Sequence, residues 1–291
     1  MKELSLTERF ALIGLNGKES EHWNLAKHYV LKAIAVASYL EDSYDSVSDT
    51  WRFDAGGIHK ATKKKRMKAV EKEITARLMK KHMLRKIKSL LGCDLFYNGN
   101  IKIKEYVSDS KEFENQIDFL RAEFLEDGPV SEEGMILVWL LKNSFCINEA
   151  FSLPEQSKID KKIGELSKDN LLARILFAID IRSAWGTLAG GFLRMKSQFA
   201  STAVGRGIVF IFPDLERKQS IFIDTEEYFS SAAKRRNCVI DRVTSQGHSC
   251  EVVRAGDVPL LKIDNIRYEL IPDAVVVKFP IHGVRLRRYD S

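Results

Sequence analysis

The spacing of apolar residues changes once in this chain, near Gly205, and that change constrains the fold more than any motif does. Before it, apolar residues recur at intervals of three and four: Phe10, Leu12, Ile13 and Leu15, then Leu25, Tyr29, Val30, Ile34, Val36, Ala37 and Leu40, with a break at Asn16-Gly17. This is the period of helices with one buried face. After it come β-branched runs divided by turn residues: Gly207–Phe212, Ser220–Asp224, Asn237–Asp241, Glu251–Val253, Leu260–Ile263, Tyr268–Ile271, Ala274–Phe279 and Gly283–Arg287. Many short strands at such spacing predict a small β sandwich or barrel. With 291 residues, two cores are more natural than one. The expected class is α+β: a mainly α-helical domain over residues 1–203 with one β-hairpin, then a small all-β domain over 204–291.

Within the first part, residues 41–57 are rich in Asp and Ser and predict an exposed loop whose Trp51 and Phe53 dock. Lys60 to Lys88 combines thirteen Lys and Arg with only Glu71 and Glu73, and Val70, Ile74, Leu78, Met79, Met83 and Ile87 mark one apolar stripe. The expectation is a long, strongly basic amphipathic helix carrying His82. Asn98-Gly99 stands between Leu95–Tyr97 and Ile101–Val107, a hairpin signal. Helices are predicted over Ser110–Asp127 and Val130–Ala150, then a short one through Leu166 and a longer one from Asp169 to about Ser201.

Several function classes find no support. The chain contains no H-E-x-x-H, no G-x-S-x-G and no phosphate loop ending in Gly-Lys-Ser/Thr, and its six His are scattered. Cys93, Cys146, Cys238 and Cys250 show neither C-x-x-C spacing nor a nearby His at zinc-ligand intervals. The expectation is therefore a non-enzymatic protein with no metal and no cofactor, its thiols reduced. The first residues lack an uninterrupted apolar run, and Leu171–Leu193, the most apolar stretch, carries Arg174, Asp180 and Arg182. Three charges mid-segment are costly for a spanning helix, so a cytoplasmic location is expected.

Charge then becomes the informative quantity. The net charge is only +6, but it is unevenly spread, with thirteen bases in Lys60–Lys88 and ten acids against two bases in Glu105–Glu133. The basic patch Lys63, Lys64, Lys65 and Arg66, continuing to Lys68 and Lys72, attracts phosphate with a strong salt dependence. Nucleic acid, an anionic lipid surface and the chain's own acidic helix compete as its target. Leu95, Phe96, Tyr97, Ile101 and Ile103 beside so many lysines have the composition of a hairpin that dips into a membrane interface.

Ser5-Leu-Thr-Glu-Arg-Phe-Ala-Leu-Ile-Gly-Leu15, then Trp23-Asn24 and Val30-Leu-Lys-Ala-Ile-Ala-Val36, resembles the opening of the Golgi phosphoprotein 3 family. Val70-Glu-Lys-Glu-Ile-Thr-Ala-Arg-Leu-Met-Lys-Lys-His-Met-Leu84 is similar to that family's basic helix. Gly134-Met-Ile-Leu-Val-Trp-Leu-Leu-Lys-Asn-Ser-Phe145 with Asn148-Glu-Ala-Phe151 resembles a later helix, and the order of elements agrees from about Leu4 to Met195. The resemblance implies a helical fold with a basic pocket and exposed hairpin on one flat face, the pocket binding a phosphoinositide headgroup through a Trp and several Arg. Trp23 falls on the Trp, Lys32 on the first Arg and Lys68 on the second. Glu71 falls where a base is expected, with Lys72 next to it. The family's ending of the second helix is replaced by Ser38-Tyr-Leu-Glu-Asp42.

The expected function is peripheral binding to anionic phospholipid headgroups on the cytosolic face of a membrane, as an adaptor able to capture a protein partner's tail. The alternative is a nucleic-acid-binding protein that sets the basic helix on backbone phosphate.

Overall fold

Helix starts are written locally, and the first one shows how. In the computed structural model, which describes residues 4–21, 25–48, 50–95, 103–182, 220–225, 231–276 and 279–289, Ser5 caps helix α1 (Leu6–Leu15) with a reciprocal box. Ser5 Oγ accepts from Glu8 N–H at 3.4 Å, and the Glu8 carboxylate accepts from Ser5 N–H at 3.1 Å. Asp109 caps α5 (Ser110–Leu125), Ser131 caps α6 (Glu132–Ser144), and Ser152 with Glu155 repeats the box at α8 (Leu153–Asp169). Between these lie α2 (Leu25–Asp42), α3 (Ala55–Ala61), α4 (Lys64–Lys80), the single turn α7 (Ile147–Ala150) and α9 (Leu171–Ala178). Helix α6 is the centre of the bundle, with Met135 to Leu141 all buried and Trp139 Nε1 donating to Ile179 C=O at 2.9 Å. It ends at Phe145, whose φ of 64° stops the helix in the left-handed region. The expected loop over residues 41–57 holds instead the end of α2, an antiparallel pair β1 (Tyr44–Asp45) and β2 (Thr50–Trp51), and the start of α3, because Tyr44 pairs across to Trp51. Trp51 and Phe53 pack on the core half-buried, as expected.

The α+β class holds, with helices first and an antiparallel sheet toward the C-terminus. Strand β5 (Ser220–Asp224), helix α10 (Ala232–Ser245) and strands β6 (Cys250–Arg254), β7 (Leu260–Ile263), β8 (Ile266–Val276) and β9 (Pro280–Arg288) form that part. The sheet order is β5-β9-β8-β7-β6, every pair antiparallel. Among the described residues this is one open five-stranded sheet, where a sandwich or barrel of eight strands was expected. The run Asn237–Asp241 is helix: Ser231 caps it, and its buried residues Val239 and Val243 are four apart, a spacing that the β-branched Val239-Ile240 pair disguises. The two runs Tyr268–Ile271 and Ala274–Phe279 belong to one strand as far as Val276. Pro272 between them is tolerated because β7 accompanies β8 only from Ile266 to Glu269, so on that side the ladder has already ended. The expected strand Gly207–Phe212 lies outside the described residues.

The basic helix is shorter than its pattern suggested. It ends at Lys80, His82 adopts φ 61°, and Leu84–Lys88 becomes strand β3, paired with β4 (Lys104–Ser108). Met83 and Ile87 fit a helical stripe equally well, and the partner strand decides, with Leu84 opposite Ser108 and Lys88 opposite Lys104. The second arm of the expected hairpin is thus a strand over Lys104–Ser108 paired with β3, whereas the expected turn Asn98-Gly99 and the arm residues Phe96 and Tyr97 lie outside the described residues. A 3-10 turn (Leu90–Cys93) follows β3, and Leu95 N–H donates to Phe222 C=O of β5 at 3.1 Å. The helix expected from Asp169 to about Ser201 begins after Asn170, which caps it, and α9 ends at Ala178; residues 183–201 are outside the described set.

The sheet has its own core, and that core borrows from the first part: Leu90, Leu91 and Cys93 pack with Ile221, Ile223, Val239, Val243, Leu261, Leu270 and Leu286. The β7–β8 turn plugs into the helical part. Asn16, 2% exposed, donates from Nδ2 to Asp264 C=O at 3.0 Å, while its Oδ1 accepts from Ser108 N–H at 3.1 Å and from Asn265 Nδ2 at 3.2 Å. Beside it Glu149 meets Lys18 at 2.7 Å and Arg288 at 3.4 Å.

Candidate functional site

Helix α4 divides sharply into two faces. Met67, Val70, Ile74, Thr75 and Leu78 are buried against the bundle, whereas Lys64, Lys65, Arg66, Lys68 and Lys72 are exposed, with Lys63 exposed at the N-cap. Alternation at three and four produces this: the apolar stripe assigned Val70, Ile74 and Leu78, and Met67 and Thr75 fall on the same face. Strand β3 continues the cationic surface with exposed Arg85, Lys86 and Lys88, and Lys104 stands opposite Lys88.

The start of α4 lacks both a cap and an acid. No side chain caps it at Lys63 and its first turn holds no acid, whereas α3, α9 and α10, which also lack a first-turn acid, each have a side-chain cap. Exposed amides at a helix N-terminus together with the macrodipole favour anions, so Lys64, Lys65 and Arg66 stand where positive charge is least welcome to the helix itself. Arg66 is partly engaged, its guanidinium 3.3 Å from Asp42 and 3.5 Å from Ser38 Oγ.

Of the residues expected to form one headgroup pocket, Lys32, Lys68 and Lys72 are among the described ones. Lys32 is half-buried on α2, donating to Ile181 C=O at 3.3 Å, with its ammonium 5.6 Å from the Tyr29 ring centre. Burial lowers its pKa, and Asp180 partly opposes that shift. His28, one turn before it, is also lowered, by burial first and then by Lys32. Lys68 and Lys72 are exposed on α4. Trp23, Phe96, Tyr97 and Ile101 lie outside the described residues. Leu95 and Ile103 are half-buried, the former tied to β5 and the latter accepting from Ser89 N–H at 2.9 Å.

Glu71 finds an internal explanation. Its carboxylate turns inward, 2.8 Å from Lys27 Nζ and 3.4 Å from Tyr106 Oη, with only 15% of the side chain exposed. It ties α2 to α4 and does not oppose an anion at the surface. A cleft of about 120 Å³ lies between the helical part and the sheet, and three of the four Lys and Arg that line it are in ion pairs: Arg121 with Glu155, Lys262 with Glu114 and Arg288 with Glu149.

Comparison with protein-family models, with curated proteins and with solved structures finds no match to this chain. Among the described residues no helix is long and apolar enough to cross a membrane.

Proposed function

We propose that the N-terminal half of α4 binds phosphomonoester groups on an anionic membrane surface, making the chain a non-enzymatic peripheral lipid binder and an adaptor able to hold a partner protein's tail. The observation that carries this is the uncapped, acid-free start of α4, occupied by Lys63, Lys64, Lys65 and Arg66. Helices α1, α5, α6 and α8 each begin with a Ser or Asp cap and an acid in the first turn. At α4 the same chain gives up that stabilisation, on the order of 0.3–1 kcal/mol for each charge placed against the dipole. An incoming phosphate would restore it. A dianionic monoester, as on a phosphoinositide headgroup, gains more from one helix end than a singly charged backbone diester does.

A second reading rests on a different observation. Helix α3, the two residues Thr62-Lys63, helix α4 and the β3–β4 hairpin follow one another as a helix, a tight turn, a longer helix and a wing, and both α4 and the hairpin expose cations. That order suits a duplex, with α4 along a groove and Arg85, Lys86 and Lys88 on backbone phosphate.

One experiment separates them. The wild-type chain is sedimented with phosphatidylcholine vesicles, with vesicles containing a phosphoinositide, and measured against a duplex oligonucleotide at low and physiological salt. Replacing Lys63, Lys64, Lys65 and Lys68 by Ala should leave the circular dichroism unchanged, because all four are exposed. Each lysine near an anionic surface contributes about 1 kcal/mol, so vesicle binding should fall by more than about a hundredfold. Undiminished binding by the variant would refute the first reading; duplex binding without vesicle binding would favour the second.

A further inference from the structure

The β8–β9 hairpin runs past its neighbours in the sheet. Strand β7 pairs with β8 only from Ile266 to Glu269, and β5 pairs with β9 only from Gly283 to Arg287, with Thr225 N–H adding a bond to His282 C=O at 3.2 Å. The two long strands continue together as far as Val276 opposite Pro280. Among the described residues, Val275, Val276, Pro280 and Ile281 therefore lie beyond both neighbouring strands.

The end of this arm is apolar and exposed. Val276 keeps 75% of its surface in solvent and Phe279 keeps 78%. Alternation puts Pro272, Ala274 and Val276 on one face of β8, all of them exposed, and Pro280 stands across from Val276. The opposite face carries Asp273, whose carboxylate meets Arg285 at 2.6 Å. From Ala274 to Ile281 the sequence holds one cation, Lys278, and no acid. Val47 is more exposed still, at 94%, but in the sequence it stands between Asp45 and Asp49.

Apolar side chains gathered at a projecting point mark a surface that something else covers. Strand addition by a second copy or another chain is disfavoured, because the open edge of β8 carries Pro272 and that of β9 carries Pro280, and neither has an N–H to donate. A tip of a few side chains also lacks the area of a stable protein interface, about 800 Å² per partner. A membrane interface needs no matching surface. It takes an apolar tip at the boundary of headgroups and acyl chains while a neighbouring cation stays among the headgroups, and an acid-free tip meets no repulsion from anionic lipid.

We propose that the tip of the β8–β9 hairpin, through Val276 and Phe279, inserts into the interface of an anionic membrane as a salt-insensitive anchor in addition to the cations of α4. This rests on the membrane reading of α4 given above and adds a different force to it: the attraction of lysines is screened by salt, whereas apolar burial is not. Two weak anchors on one body reinforce each other, since the first raises the effective concentration of the second. Leu95 and Ile103, which the sequence assigned to the interface, are half-buried, so among the described residues the exposed apolar hairpin is this one.

The test uses the full chain and vesicles of phosphatidylcholine with a phosphoinositide, at low salt and at about 1 M salt, where a Debye length of about 3 Å screens the lysines. The wild type should keep measurable binding at high salt. Val276→Ser combined with Phe279→Ser should weaken binding about tenfold at both salts, with circular dichroism unchanged because both side chains are exposed. Phe279→Trp should add an emission that moves to the blue with vesicles and is quenched by lipids brominated on their acyl chains. Undiminished binding by the double variant, while the α4 lysine variant loses it, would overturn the anchor and leave the α4 reading standing; a wild type that binds no vesicles overturns both. A wild type that dimerises in solution, with the double variant monomeric, would give the tip to a second copy and overturn the anchor. If the double variant fails to fold, quenching of Phe279→Trp decides.

Discussion

Asn16 is a single side chain whose removal tests whether the two parts of the molecule are joined as described. It sits at the end of α1, 2% exposed, and makes three hydrogen bonds at the joint, two of them across it to Asp264 and Asn265 and one to Ser108 of β4. Asn16→Ala strands the Asp264 carbonyl and the Ser108 N–H, whereas Asn265 Nδ2 keeps its bond to Ser108 C=O at 3.0 Å. A buried polar group left without a partner costs about 1–3 kcal/mol, so two such groups set the loss at about 3–4 kcal/mol. Denaturation by urea, followed by tryptophan fluorescence and by circular dichroism, measures it. With a slope near the upper end of about 1–3 kcal/mol per molar urea for a chain of this size, the midpoint should fall by about 1 M or slightly more. Asn265→Ala weakens the same joint, and because the two asparagines share a hydrogen bond, the double variant should lose less than the sum of the single losses. A loss below about 1 kcal/mol for Asn16→Ala, or strict additivity, would refute the idea that this turn is a buried plug.

Two further outcomes follow from the same geometry. Burial alone would raise the Glu149 pKa, but Lys18 and Arg288 together hold it below the ordinary 4.5; a carboxylate whose folded pKa is depressed adds stability that is complete above its unfolded value and lost as pH falls through the folded one. The wild type should thus lose stability more steeply than Glu149→Gln on acidification below pH 4.5, and parallel curves in an acid titration would argue against the pairing. At Gly283 an added Cβ would come within 2.3 Å of Ile223 C=O and 2.7 Å of the Phe222 ring, and backbone cannot yield there. Gly283→Ala should part β9 from β5 and cost roughly 2 kcal/mol or more in thermal or chemical unfolding; an unchanged midpoint would contradict the observed register of these strands.

The sequence by itself determined the local structure. Ser5 with Glu8 and Ser152 with Glu155 announce helix starts because a cap involves residues three apart. The alternation along α4 announces which lysines reach solvent because helical geometry fixes the two faces. The runs Leu260–Ile263 and Gly283–Arg287 are strands for the same reason, and the α+β order follows from where the period changes.

What only the tertiary structure decided depends on partners distant in the chain. Met83 and Ile87 suit helix and strand alike, and β4 resolves the tie by pairing with Leu84–Lys88. Val239 and Ile240 favour a strand by type, yet burial at Val239 and Val243 makes them helix. Glu71 reads as an intruder in a basic surface until Lys27 of α2 is seen beside it. Val276 and Phe279 read as parts of an ordinary strand, and only the short reach of β5 and β7 leaves them in solvent. Caps and periodicity act within a turn or two of the chain, whereas pairing, burial and compensation of charge are properties of whatever the folded chain places alongside.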